Sequence, residues 1–114
     1  MKQRILIMNR QRLLQTESEG QWSTTKVEKA GDVKAGIYNL YLAKDADKVK
    51  KYVGTIIHVD KDHVYQSTDG RNVIRHERSA FGTVPAYGTT QSISYEEGRA
   101  LVTEGAKLSL GMKR

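Results

Sequence analysis

The apolar pattern of this chain never keeps one period for long. Short apolar and β-branched runs alternate with turn residues, and no stretch sustains the repeat of about 3.6 residues that a long helix needs. Ile5-Leu6-Ile7-Met8 reads as a short buried strand, Asn9-Arg10-Gln11 as a turn, and Arg12-Leu13-Leu14-Gln15 as a second strand. After the polar turn Glu17-Ser18-Glu19-Gly20, Trp22-Ser23-Thr24-Thr25-Lys26-Val27 is rich in strand-favouring residues, so the chain opens as a three-stranded meander. A loop over 29–36 leads to Ile37-Tyr38-Asn39-Leu40-Tyr41-Leu42-Ala43, read as a strand with a helix as its rival.

Residues 44–51 form the one helical candidate, with Asp45 or Asp47 as cap and Asp47 four residues before Lys51. The clearest hairpin follows. Strict alternation places Val53, Thr55, Ile57 and Val59 on one face and Tyr52, Ile56 and His58 on the other, together with Gly54. Asp60-Lys61-Asp62 turns the chain, His63-Val64-Tyr65-Gln66 returns, and the Asp69-Gly70 pair signals a second turn before the strand 72–77. Residues 78–90 are irregular and hold the one proline, Pro85. Gln91–Tyr95 and Arg99–Val102, joined by Glu96-Glu97-Gly98, close the pattern. The expectation is a mostly β fold: a small antiparallel β-barrel or sandwich of eight or nine short strands with at most one short helix. It forms one domain over 1–103, followed by a polar tail over 104–114.

A chain of 114 residues can bury one core without a disulfide, and with no cysteine it has neither a disulfide framework nor a cysteine zinc site. The first apolar run is too short for a signal peptide, and no run approaches a membrane span, so a cytoplasmic location is expected. The net charge is +6. Residues 1–53 carry eleven Lys or Arg against six acids, and residues 54–114 carry eight against seven, so the excess lies in the first half. Such an excess suits a polyanion or an acidic protein surface, and it equally suits a solvated surface that keeps a small domain soluble.

Nothing in the sequence has the form of a catalytic or cofactor motif. The serines lie outside any Gly-x-Ser-x-Gly elbow, and there is no Walker loop, dinucleotide fingerprint or His-Glu-x-x-His. The acid pairs Asp60/Asp62 and Glu96/Glu97 fall at turns, where Asp bonds its own backbone and acids are solvated. His58 and His63 flank one turn and His76 lies on the next strand, so a meander brings all three within reach of a zinc ion. The plainer reading is a half-buried His58 beside Ile56. No catalytic residue, metal or cofactor is assigned.

The basic and aromatic residues offer more. Tyr52 follows Lys48, Lys50 and Lys51, and Tyr65 stands opposite the segment with Arg71, Arg75 and Arg78. Small β folds bind single strands by stacking bases on exposed rings in a basic groove, so these eight residues are the candidate nucleic-acid site. Most of the aromatic side chains are nevertheless expected in the core. Trp22, Tyr38 and Tyr41 are the candidate anchors for a protein partner.

The stretch from Tyr52 to Gln66, with its Gly54, apolar run, His58, turn and His63-Val64-Tyr65-Gln66 return, resembles the KfrB domain of plasmid-borne proteins. Val73 to His76 and Ile93-Ser94-Tyr95-Glu96-Glu97-Gly98-Arg99-Ala100-Leu101-Val102 continue the likeness, which spans roughly residues 36–103. The resemblance implies a setting among plasmid maintenance proteins, conjugative relaxases and other mobile-element proteins, and it transfers no catalytic residue. Two readings follow. One is a non-enzymatic plasmid accessory that binds DNA or a nucleoprotein complex in maintenance or transfer. The other is a protein-binding inhibitor of a host defence system, of restriction or CRISPR type. For that inhibitor the +6 charge argues against mimicry of DNA. A third, enzymatic reading would centre on Asp60 and Asp62 beside His58 and His63. Monomer and dimer are both compatible with the sequence.

Overall fold

The computed structural model describes residues 2–30, 33–68 and 72–103. Its strands are β1 (Gln3–Met8), β2 (Gln11–Ser18), β3 (Gln21–Lys29), β4 (Gly36–Tyr38), β5 (Lys44–Asp45), β6 (Tyr52–Val59), β7 (His63–Ser67), β8 (Val73–Glu77), β9 (Thr90–Glu96) and β10 (Arg99–Thr103). They form two sheets, β3-β2-β1-β4 and β10-β9-β6-β7-β8-β5. Neither sheet closes on itself, so of the two expected architectures the sandwich is the one formed. Among the described residues the strands number ten, against the eight or nine expected, because Lys44–Asp45 adds a short edge.

Two-residue turns set the register. Asn9-Arg10, Glu19-Gly20 and Glu97-Gly98 all take positive φ, at 51° and 63°, 52° and 81°, and 52° and 80°. That is the mirror-image turn whose twist matches two antiparallel strands. Gly20 and Gly98 supply the second left-handed position without a Cβ penalty. The meander β1–β2–β3 is therefore present as expected. The β7–β8 hairpin is present too, with Ser67 opposite Val73. Its Asp69-Gly70 turn lies outside the described residues, as does the tail over 104–114.

The helical expectation over 44–51 fails. Lys44–Asp45 instead pairs in parallel with Ile74–Arg75, an exception to the antiparallel scheme. Asp45 is held by Arg75 Nε at 2.7 Å, and Asp47 Oδ1 accepts from the Val49 amide at 3.0 Å. Both acids thus hold local turn and edge geometry in place of a helix start. The strand expected to run to Ala43 ends at Tyr38 and passes into a single 3-10 turn, Leu40–Leu42.

Strict alternation along β6 also fails, and the reason matters for the core. A bulge between Ile56 and His58 leaves Ile56, Ile57 and His58 all buried. Ile57 points between the sheets, where it packs with Ile5, Ile7, Tyr38, Leu40, Tyr65 and Val73. Ile56 points to the other face, into a second cluster with Val64, Phe81 and Ile93. That cluster is capped from the 78–88 segment, which the sequence shows only as irregular, by Ala80, Val84 and Tyr87.

Candidate functional site

The residues that carry the family likeness build an internal polar chain. His76 is fully buried; its Nε2 lies 2.9 Å from Gln66 Oε1 and its Nδ1 2.6 Å from the Tyr95 hydroxyl. The directions are determined. Gln66 Nε2 donates to the carbonyls of Gln91, Tyr52 and Gly54 at 3.0, 3.3 and 3.3 Å, so its Oε1 accepts. His76 therefore donates from Nε2, and Tyr95 donates to the bare Nδ1. Burial lowers the His76 pKa to about 4, which keeps the ring neutral. Burial, reinforced by Glu77, raises the Tyr95 pKa to about 12. The chain links β7, β8, β9 and β6, and it accounts for Gln66, His76 and Tyr95 as structural residues.

A second polar cluster joins the sheets. Arg12, 3 % exposed, reaches from β2 to β6. Its Nε donates to the Ile57 carbonyl at 2.9 Å, Nη1 to Glu28 Oε1 at 2.8 Å, and Nη2 to His58 Nδ1. Its guanidinium also lies 4.8 Å from the centre of the Tyr87 ring, whose hydroxyl donates to the Lys29 carbonyl. Burial lowers the Arg12 pKa while Glu28 opposes the shift. Burial and then Arg12 lower that of His58 to about 4. Sequence reasoning missed this cluster. The one available signal is that Arg12 shares a strand face with Leu14, an odd place for a charge.

Of the eight residues of the expected nucleic-acid site, the seven described are not gathered into one basic groove. Lys48 and Arg75 share a small depression with Asp45 and Glu77, which offset their charge. Lys48 Nζ sits 5.9 Å from the centre of the Tyr95 ring, while Lys50 and Lys51 are exposed in the turn before β6. Arg78 lies elsewhere, donating to the Asp60 carbonyl at 2.8 Å. Arg71 lies outside the described residues. Tyr52 is half-buried edge-on to His76, and its hydroxyl accepts from the Asp47 amide. Tyr65 is buried, with its ring between His58 and His63, so as a stacking platform it is corrected to a core residue.

The histidines do not converge. His58 and His63 flank Tyr65, whereas His76 is turned into the opposite cluster. Among the described residues no three His, Asp or Glu side chains gather as metal ligands. Asp60 Oδ1 accepts from the Asp62 and His63 amides at 2.8 and 2.7 Å, a turn role. Glu96 and Glu97 are exposed at their turn.

Two of the three expected protein anchors do meet. Trp22 and Tyr41 lie 6.0 Å apart. Arg4 sits 4.1 Å over the Trp22 ring and Lys2 5.2 Å over Tyr41. Tyr38 is instead buried and donates to the Lys34 carbonyl, so it is corrected to a core residue. Beside this corner the register aligns Val27, Leu13, Leu6 and Ile37 in one row across all four strands. The row lies on the face turned away from the core. Val27 is 53 % and Ile37 42 % exposed, and Leu6 and Leu13 are half-buried. A solvated sheet face would carry polar residues there.

Among the described residues no helix is long and apolar enough to cross a membrane. Residues 51–104 match the family model described as KfrB Domain. The chain is also similar to Protein TraB of Escherichia coli, at 34% identity over 102 residues that cover 87% of this chain and 69% of the relative. The strands β6 to β10 that hold the Gln66–His76–Tyr95 chain fall inside the matched segment, and on these grounds the chain belongs to the KfrB-domain family of plasmid-associated proteins.

Proposed function

We propose that the chain is a non-catalytic binding module of plasmid maintenance or transfer, which docks a protein component of a nucleoprotein complex on the outer face of β3-β2-β1-β4. The apolar row Val27–Leu13–Leu6–Ile37 carries this reading. Trp22, Tyr41 and Arg4 beside it are the residue types that dominate interface energetics. Lys2, Arg4 and Lys29 against Glu17 make the face positive, which suits an acidic partner surface.

The cation-bearing rings at the Trp22 corner favour a second reading, direct contact with single-stranded DNA. One pair of measurements separates the two. A photo-crosslinking residue at Ile37, in cells that carry the plasmid, should trap one defined protein, and Val27→Lys with Leu13→Lys should abolish the adduct. A plasmid-encoded partner supports the transfer or maintenance reading, and a host nuclease or its subunit supports the inhibitor. Absence of an adduct defeats both protein readings. Salt-dependent anisotropy with labelled DNA, lost on Trp22→Ala and Lys2→Gln, would then place the chain directly on nucleic acid.

A further inference from the structure

His76 engages both ring nitrogens inside the six-stranded sheet, but His58 engages one. Arginine only donates, so the Arg12 contact makes Nδ1 of His58 the acceptor and leaves the hydrogen on Nε2. That N–H meets no hydrogen-bond partner among the described residues and keeps some access to solvent, in a residue only 8 % exposed. His58 lines a cleft of about 450 Å³ between β2–β3 and the loop around Pro85.

The charge around this cleft is unbalanced. Arg12, Lys26 and Arg78 line it against one carboxylate, Glu28. Glu28 is taken by Arg12 at 2.8 Å and by Lys26 at 3.4 Å. Arg78 donates to a neutral carbonyl, and the nearby Asp60 carboxylate is turned into its own turn. Val84 and Pro85 make the opposite lip apolar. The cleft thus pairs a solvent-reachable neutral donor on a largely buried side chain and surplus positive charge with an apolar wall, a combination suited to an anionic group on a compact carbon skeleton.

We propose that this cleft is a binding site for an oxyanion, phosphoryl or carboxylate, that accepts the His58 Nε2–H and is held by Lys26 and Arg78. The site lies apart from the outer face of β3-β2-β1-β4 and stands or falls independently of it. The test is a titration of the intact chain with inorganic phosphate and, separately, with acetate, following the His58 imidazole nitrogens by NMR. A saturable shift at His58, without a matching one at the more exposed His63, is expected. Response to phosphate alone assigns a phosphoryl ligand, and response to acetate assigns a carboxylate. Lys26→Gln with Arg78→Gln should weaken binding by about tenfold or more, the loss of at least one charge-assisted hydrogen bond. The charge-matched control Lys48→Gln with Lys50→Gln should leave it unchanged. No saturable shift with either anion, or equal weakening in the control, would overturn the proposal.

Discussion

The Arg12 side chain on one sheet donates to the Ile57 carbonyl on the other across 2.9 Å. It is the buried cation at the junction, and its other two nitrogens are taken by Glu28 and His58. Arg12→Met should therefore cost about 3 kcal/mol, the low end for breaking a buried pair, because Glu28 keeps some contact with water. Urea unfolding measures it. Lys26→Met, at an exposed partner of the same carboxylate, should change stability by no more than about 0.5 kcal/mol.

The chain from Tyr95 through His76 to Gln66 predicts an ordered pair of losses. Tyr95→Phe removes one donor and should cost about 1 kcal/mol. Gln66→Leu strands the His76 Nε2–H in a fully buried site and should cost about 2–3 kcal/mol. Equal losses in chemical denaturation would contradict the larger share of the buried hydrogen bonds assigned to Gln66.

The two buried histidines also set a pH dependence. Both have a folded pKa near 4 against an ordinary value of 6.5. Between those values the unfolded chain binds protons that the folded chain refuses, so stability rises with pH. The full contribution is present above pH 6.5 and drains away as pH falls toward about 4. Urea midpoints should drop steadily between pH 7 and pH 5, about where carboxylates begin to contribute. A flat profile over that window would mean that the rings are protonated in the fold.

Gly54 sits where β6 passes close to β7. A Cβ there would lie 1.9 Å from the Ser67 carbonyl oxygen, and backbone atoms cannot swing aside as a side chain does. Gly54→Ala should cost about 3 kcal/mol or more, at or beyond the upper end of ordinary overpacking. Thermal unfolding reads the loss, and a near-neutral result would show that β6 and β7 can separate without penalty.

Local chemistry was legible in the sequence and long-range pairing was not. The hairpins around Asn9-Arg10, Glu19-Gly20 and Glu97-Gly98 follow from turn residues set between strand-forming runs. The pairing of β6 with β9 joins segments with two strands and an irregular stretch between them, and no local signal specifies it. Ile57 keeps the face opposite Ile56 that alternation assigns it, but the bulge after Ile56 shifts His58 into register with Tyr65, which alternation alone does not show. The helix expected over 44–51 rested on capping acids, but Asp45 found Arg75, thirty residues away, at 2.7 Å. The candidate site suffered in the same way. Tyr65 and Tyr38 look like surface rings until tertiary packing buries them. Trp22 and Tyr41 come together only because β4 returns to pair with β1.

Ile56 and Ile57, adjacent on β6, point to opposite faces of the sheet and so enter different cores. Ile57 is roofed by Ile5, Ile7, Tyr38 and Leu40, all of which precede the family-matched segment. An expression boundary drawn at residue 51 would bare Ile57, Tyr65 and Val73 to water and take Arg12 away from His58. The recognisable stretch supplies only part of the core that Ile57 shares with Ile5, Ile7, Tyr38 and Leu40, and a truncation guided by the match alone is expected to expose that apolar surface and aggregate.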